Sequence, residues 1–129
     1  MRETLSRFDD RIYALVRIVV GFLFLCHGVQ KLFFSDGPPE TMPAPLFYAA
    51  GGIELVAGGL IALGLLTSWA AFIASGQMAV AYVVAHQARG LLPIQNGGEL
   101  AVLYSWVFLL LAAKGSGRWS VDRLRGASG

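Results

Sequence analysis

The chain has 129 residues, enough for one domain, of which 56% are apolar and only 14% charged, against roughly 25% charged in ordinary soluble domains. Its formal net charge of +2 rests on ten dispersed lysines and arginines, too few and too scattered to track a nucleic-acid backbone, so nucleic-acid binding is excluded. The single cysteine, Cys26, rules out an internal disulfide, a CxxC redox pair and a thiolate metal site within the chain, and its apolar surroundings mark it as a packing residue.

A bilayer core about 30 Å thick needs about 20 helical residues at about 1.5 Å each. The first apolar run, residues 12–34, follows a polar stretch in which Asp9 and Asp10 suit the positive end of a helix dipole. It carries Arg17 and Lys31 and lacks a small-residue cleavage pattern, so it is expected to stay as a span rather than leave as a signal peptide. Residues 35–45 hold Pro38, Pro39, Pro43 and Pro45, which no helix continues through. A second span is predicted at 46–66, a tight Thr67-Ser68 connection follows, and a third span runs over 69–88. Gly90, Pro93 and the Asn96-Gly97 turn signal then separate it from the fourth and shortest span, 98–114. Residues 115–129 form a polar tail, with 119–125 basic and partly amphipathic, as an interfacial anchor would be.

Basic residues set the direction. Arg2, Arg7 and Arg11 precede the first span, and Lys114, Arg118, Arg123 and Arg125 close or follow the last; the 35–45 loop has no lysine or arginine and the 89–97 loop only Arg89. Both termini are therefore expected on the cytoplasmic side. The predicted fold class is all-α: a single-domain, polytopic bundle of four transmembrane helices in contact with the lipid bilayer. Gly51, Gly52, Gly58, Gly59 and Gly64 on the second helix and Ala71, Ser75 and Ala79 on the third offer small-residue faces. Because those helices share the shortest connection, they are expected to pack on each other.

Ionisable groups at membrane depth cost about 2.5–3.5 kcal/mol at helix centre, so they must pair, snorkel or line a wet cavity. Helical rise places His27 and Lys31 on one face of the first helix, with Glu54 on the second at a level close to His27. His86 falls near the outer end of the third helix and Glu99 at the outer start of the fourth, with Gln30 and Asn96 able to add hydrogen bonds. These seven residues form the candidate ligand-binding or proton-handling cluster, Glu54 foremost because it is deepest and cannot snorkel. A Glu54–Lys31 or Glu54–His27 pair would remove the cost of a lone charge. The competing reading is polar glue that merely joins the helices. Arg17 is expected to reach the headgroups with its long side chain, and Gln77 to serve as a packing contact. One His per helix without further ligands does not make a metal or haem site. Each predicted hairpin also carries a His followed by Gly-Gly and Glu, as in His27, Gly51-Gly52 and Glu54, then His86, Gly97-Gly98 and Glu99; such a faint parallel repeat would put a site between the halves.

Together, Arg17 with Gly21, the segment His27-Gly28-Val29-Gln30-Lys31, then Gly51-Gly52-Ile53-Glu54-Leu55 with Gly58 and Gly64, then Asn96-Gly97-Gly98-Glu99, and finally Gly115-Ser116-Gly117-Arg118-Trp119-Ser120-Val121-Asp122 resemble the DoxX family of small bacterial and archaeal membrane proteins. Family members more often carry proline where Ser116 stands. The resemblance implies a multi-pass protein of the bacterial or archaeal cytoplasmic membrane. It also implies a link to oxidoreductase systems, since DoxD-type proteins are associated with thiosulfate:quinone oxidoreductase and terminal quinol oxidase complexes. Other similar proteins are linked to oxidative-stress responses, and still others resemble endoplasmic-reticulum cargo receptors, so the fold alone does not assign an activity. The leading reading is a quinone-interacting or anchoring subunit of a membrane oxidoreductase, with quinone as the cofactor, redox-complex proteins or further copies of the chain as partners, and Phe24, Phe47 and Tyr48 as walls. The alternative is a non-enzymatic assembly factor or small-solute carrier.

Overall fold

The computed structural model describes residues 1–126, and the last part of the predicted tail, 127–129, lies outside the described residues. Among the described residues the structure is helical, without strands: α1 (Arg2–Ser6), α2 (Asp9–Val29), α3 (Ala44–Leu63), α4 (Thr67–Ala85), α5 (Pro93–Asn96), α6 (Glu99–Lys114) and α7 (Val121–Leu124). α2 continues through a π-helical turn over Gln30–Phe34. Three segments are long and apolar enough to cross a membrane: Asp9–Phe34, Ala44–Leu63 and Thr67–Arg89. At 16 residues, α6 extends about 24 Å, short of a typical hydrocarbon core.

The helix ends differ from the hydropathy reading for a local reason. α3 stops at Gly64, which takes the left-handed conformation (φ +71°) and lets Leu65 N–H donate back to the Leu60 carbonyl. Leu66 is also left-handed, and Thr67 already belongs to α4. The break is therefore at 64–66, among apolar residues that hydropathy cannot tell from helix, and not at Thr67-Ser68.

The helices associate as two hairpins, and the tightest contacts are not the predicted ones. α2 lies against α3 through glycines: an added Cβ at Gly21 would come 2.5 Å from Ala62 N, and one at Gly28 would press on Leu55 N and sit 2.8 Å from Gly51 O. Backbone meets backbone there, the close approach that small residues permit in lipid. α4 instead pairs with α6. Ser75 Oγ donates to Ser105 O at 2.8 Å and Ser105 Oγ returns a bond to Ser75 O at 3.2 Å. Ala71 and Ser75 are buried in that seam, whereas Ala79 is exposed. The expected α3–α4 packing is thus the looser contact, because the small faces on α3 and α4 look toward α2 and α6.

Between the hairpins lies a core of Phe24, Ile61, Ala74, Met78, Phe108 and Leu111 with their small neighbours. The Phe24 and Phe108 rings meet edge-to-face at 4.6 Å, and Tyr104 stacks on Phe108 at 5.4 Å. Val19, Phe22, Val56, Phe72, Leu103 and Trp106 are exposed on the outside, while Arg17 and Glu54 are buried. Apolar outside and charged inside is the pattern of a surface that meets lipid.

One end of the bundle is closed by the C-terminal segment, which is not a free polar tail. Arg17 is fully buried and does not reach headgroups. Its Nη1 donates to Ile61 O (2.7 Å) and Ala62 O (2.9 Å), and its Nη2 to Arg118 O (3.1 Å) and Trp119 O (2.7 Å). Ala62 O is among the carbonyls a helix C-terminus leaves without partners, and Ile61 O accepts from Gly64 N–H as well, so the guanidinium caps α3 and clasps the returning chain at once. Tyr13 donates to Gly115 O at 2.6 Å, and Asp122 N–H donates to Gly64 O at 3.0 Å. Gly64 serves this contact too, since a Cβ there would collide with Ser120 and come 2.7 Å from Arg17 Nη1. Ser116, Ser120 and Asp122 are buried as a result.

Candidate ligand-binding site

At the opposite end the hairpins part around a cavity of about 270 Å³, lined from α2, the 35–43 loop, α3, α4 and α6. Its polar wall is His27, Lys31, Glu54, His86 and Tyr104, and its apolar wall includes Phe24, Met42, Met78 and Leu100. Four residues singled out from the sequence, one or two each from the first three spans, therefore face a single space.

Glu54 organises the floor. It is 3% exposed, and Lys31 Nζ lies 2.7 Å from its Oε1. Gln77 Nε2 donates to the same oxygen at 3.1 Å. The other oxygen, Oε2, is buried and has no protein partner among the described residues. A buried carboxylate oxygen without a donor is costly unless something else occupies it. Lys31 approaches this point because the π-helical turn begins at Gln30 and inserts extra backbone before the helix ends; such turns recur at functional sites. The ammonium also lies 5.6 Å from the centre of the Phe47 ring, a favourable cation–π distance. Of the two pairings open at the level of sequence, the structure has Glu54–Lys31.

The two imidazoles share the wall with this pair. His27 meets Tyr104 edge-to-face at 6.0 Å. His86, at the end of α4, stacks on Tyr82 at 6.5 Å and has Nδ1 3.2 Å from Asn96 O. Facing a carbonyl, Nδ1 must be the protonated nitrogen, which leaves Nε2 open. The Asn96 side chain is occupied: Nδ2 donates to Tyr82 Oη (3.1 Å) and Gly90 O (3.0 Å), while Oδ1 accepts from Gly98 N (2.8 Å). It ties the 86–98 connection together behind His86. Gln30 and Glu99 are exposed and stand outside the cavity wall.

Three contributors escaped the sequence reading. Gln77 bonds Glu54 directly and is more than a packing contact; an amide in the middle of an otherwise apolar helix was the available signal. Tyr104 and Met42 face the cavity, but nothing in their spacing relates them to Glu54. Phe24 is on the wall, whereas Phe47 lies beneath Lys31 and Tyr48 is half exposed, away from the cavity.

A family model for DoxX matches residues 12–87, which covers most of α2, all of α3 and α4 and therefore both partners of the ion pair. The chain is 41% identical over 127 residues to an uncharacterized protein of Haemophilus influenzae, spanning 93% of this chain and 95% of that one. It is 36% identical over 128 residues to an uncharacterized membrane protein of Mycobacterium tuberculosis, spanning 84% and 77% respectively. A second uncharacterized Haemophilus influenzae protein is 31% identical over 88 residues, 67% of this chain and 58% of that one. No solved structure matches the chain.

Proposed function

Because the chain belongs to the DoxX family of membrane proteins, we propose that it is a four-span subunit of the cytoplasmic membrane whose cavity takes a quinone headgroup for a partner oxidoreductase. The observation that carries this reading is the buried Glu54, paired through one oxygen to Lys31, on the wall of a ring-sized, largely apolar space. A quinone carbonyl requires a hydrogen-bond donor, and Lys31, His27 and the Tyr104 hydroxyl are donors on that wall. Proton exchange with the ring oxygen needs an acid or base within reach, and the Lys31–Glu54 pair on that wall suits that role. Phe24 and Tyr104 supply aromatic surface for the ring. Electrons would pass to or from a partner protein.

The four-span arrangement with both ends cytoplasmic is supported by the meeting of the start of α2 and the end of α6 through Tyr13 and Gly115. Seven basic residues, Arg2, Arg7, Arg11, Lys114, Arg118, Arg123 and Arg125, belong to the segments at that end. The short α6 is accommodated if the bilayer thins locally beside it.

The test is quinone extraction from protein purified in mild detergent from native-like membranes, beside Glu54→Gln and Lys31→Met. Quinone recovered near one per chain and lost in both variants is the expected result. Folded wild-type protein free of quinone overturns the reading. Partner recovery from such membranes without quinone would point instead to an assembly factor or anchor.

A further inference from the structure

The end of the bundle closed by the C-terminal segment carries a second concavity, a groove of about 640 Å³ between the end of α3 and the 118–124 segment. Its walls combine two cations with apolar surface: Arg118 and Arg123 beside Leu63, Trp119 and Leu124. We infer that this groove binds the phosphate-bearing headgroup of an anionic phospholipid, with the guanidinium groups of Arg118 and Arg123 on the phosphate and the acyl chain along Leu63.

Three features select this occupant. The first is height. Leu63 is the last residue of a membrane-length helix, so the groove opens where hydrocarbon gives way to headgroups, and Trp119 and Leu124, 56% and 88% exposed, are the residue types that settle at that level. The second is unspent charge. Both arginine side chains are exposed, and among the described residues neither donates to a protein acceptor, while Asp122 between them is turned inward and buried near Arg17. Basic pockets at span ends are suited to acidic headgroups, and paired guanidinium groups match phosphate oxygens.

The third is rigidity. The backbone that carries these arginines is not a loose polybasic tail. Arg118 O and Trp119 O are held by Arg17, Asp122 N–H is held by Gly64 O, and Ser120 Oγ accepts from Arg123 N at 3.3 Å. The cations are therefore positioned before the lipid arrives, which lowers the ordering cost of binding. Occupancy of the groove in turn fastens the segment that caps α3.

The experiment is native mass spectrometry of the detergent-purified chain titrated with phosphatidylglycerol or with phosphatidylcholine of the same acyl chains. Wild-type protein should bind one phosphatidylglycerol in clear preference to phosphatidylcholine. Arg118→Gln/Arg123→Gln should weaken that binding about 10- to 30-fold, each single variant should lose part of it, and Arg2→Gln/Arg7→Gln should change it less than about threefold. No preference between the lipids, or equal losses in the two double variants, overturns the inference. Among the described residues the substituted side chains make no internal bonds, so the fold should persist; should the double variant fail to fold, the single variants carry the same comparison.

Discussion

Replacing Arg17 with methionine tests the clasp that joins α2, α3 and the C-terminal segment. Methionine keeps the apolar stem and removes a guanidinium that makes four bonds to carbonyls. Hydrogen bonds to a charged donor are worth about 1.5–3 kcal/mol each, which would sum to more than the clasp as a whole can contribute. Two terms reduce it: the desolvation cost of a fully buried cation disappears with the cation, and water reaches the freed carbonyls once the segment has left that end of the bundle. A net loss of about 3 kcal/mol is expected, borne mainly by release of the segment after Lys114 rather than by melting of the helices. That is about two decades in the opening equilibrium. Trypsin reads it directly, because cleavage after Arg118 requires the segment to leave its seat and tracks the open population when reclosing is fast. Cleavage in micelles should accelerate about 100-fold in Arg17→Met. It should rise less in Arg17→Lys, which keeps the charge but cannot fork between two pairs of carbonyls. Acceleration below about fivefold, with the wild-type site resistant, would refute the energetic role assigned to the clasp.

The Lys31–Glu54 pair should respond asymmetrically. Lys31→Met strands a carboxylate that is 3% exposed and should cost about 2–3 kcal/mol. Glu54→Gln leaves a lysine that is 24% exposed and can turn to the cavity, costing about 1 kcal/mol; equal losses on chemical unfolding in micelles would contradict this. Gly28→Ala should destabilise by about 2–3 kcal/mol because its Cβ would meet α3 backbone. Gly52→Ala, whose Cβ would meet nothing within 4 Å, should be neutral or stabilise by up to about 1 kcal/mol. Thermal unfolding of the two glycine variants side by side decides it, and equal shifts would argue against the α2–α3 contact. In a Cys26→Ala background, a cysteine at Asp36 should react with impermeant maleimide on intact cells and one at Arg125 only after lysis; the reverse pattern would invert the proposed orientation.

What the sequence by itself determined is whatever depends on local composition. Apolar runs of span length, prolines that stop α2 before residue 45 and basic residues gathered at two ends follow from transfer energies that act residue by residue. The isolation of Glu54 in such a run was enough to mark it, since few positions in a membrane tolerate a carboxylate. Which neighbour neutralises it was a matter of depth and rotation together, and a π-helical turn at Gln30 enters no hydropathy sum. The partner of Gln77, the arrival of Tyr104 on the cavity and the pairing of α4 with α6 are contacts between distant segments. Small-residue faces announce that helices approach but not which ones. Arg17 marks the boundary most sharply. Read along the chain it is a cation near a span end with water in reach; only the return of the 115–124 segment shuts off that water and supplies two of the four carbonyls that hold it.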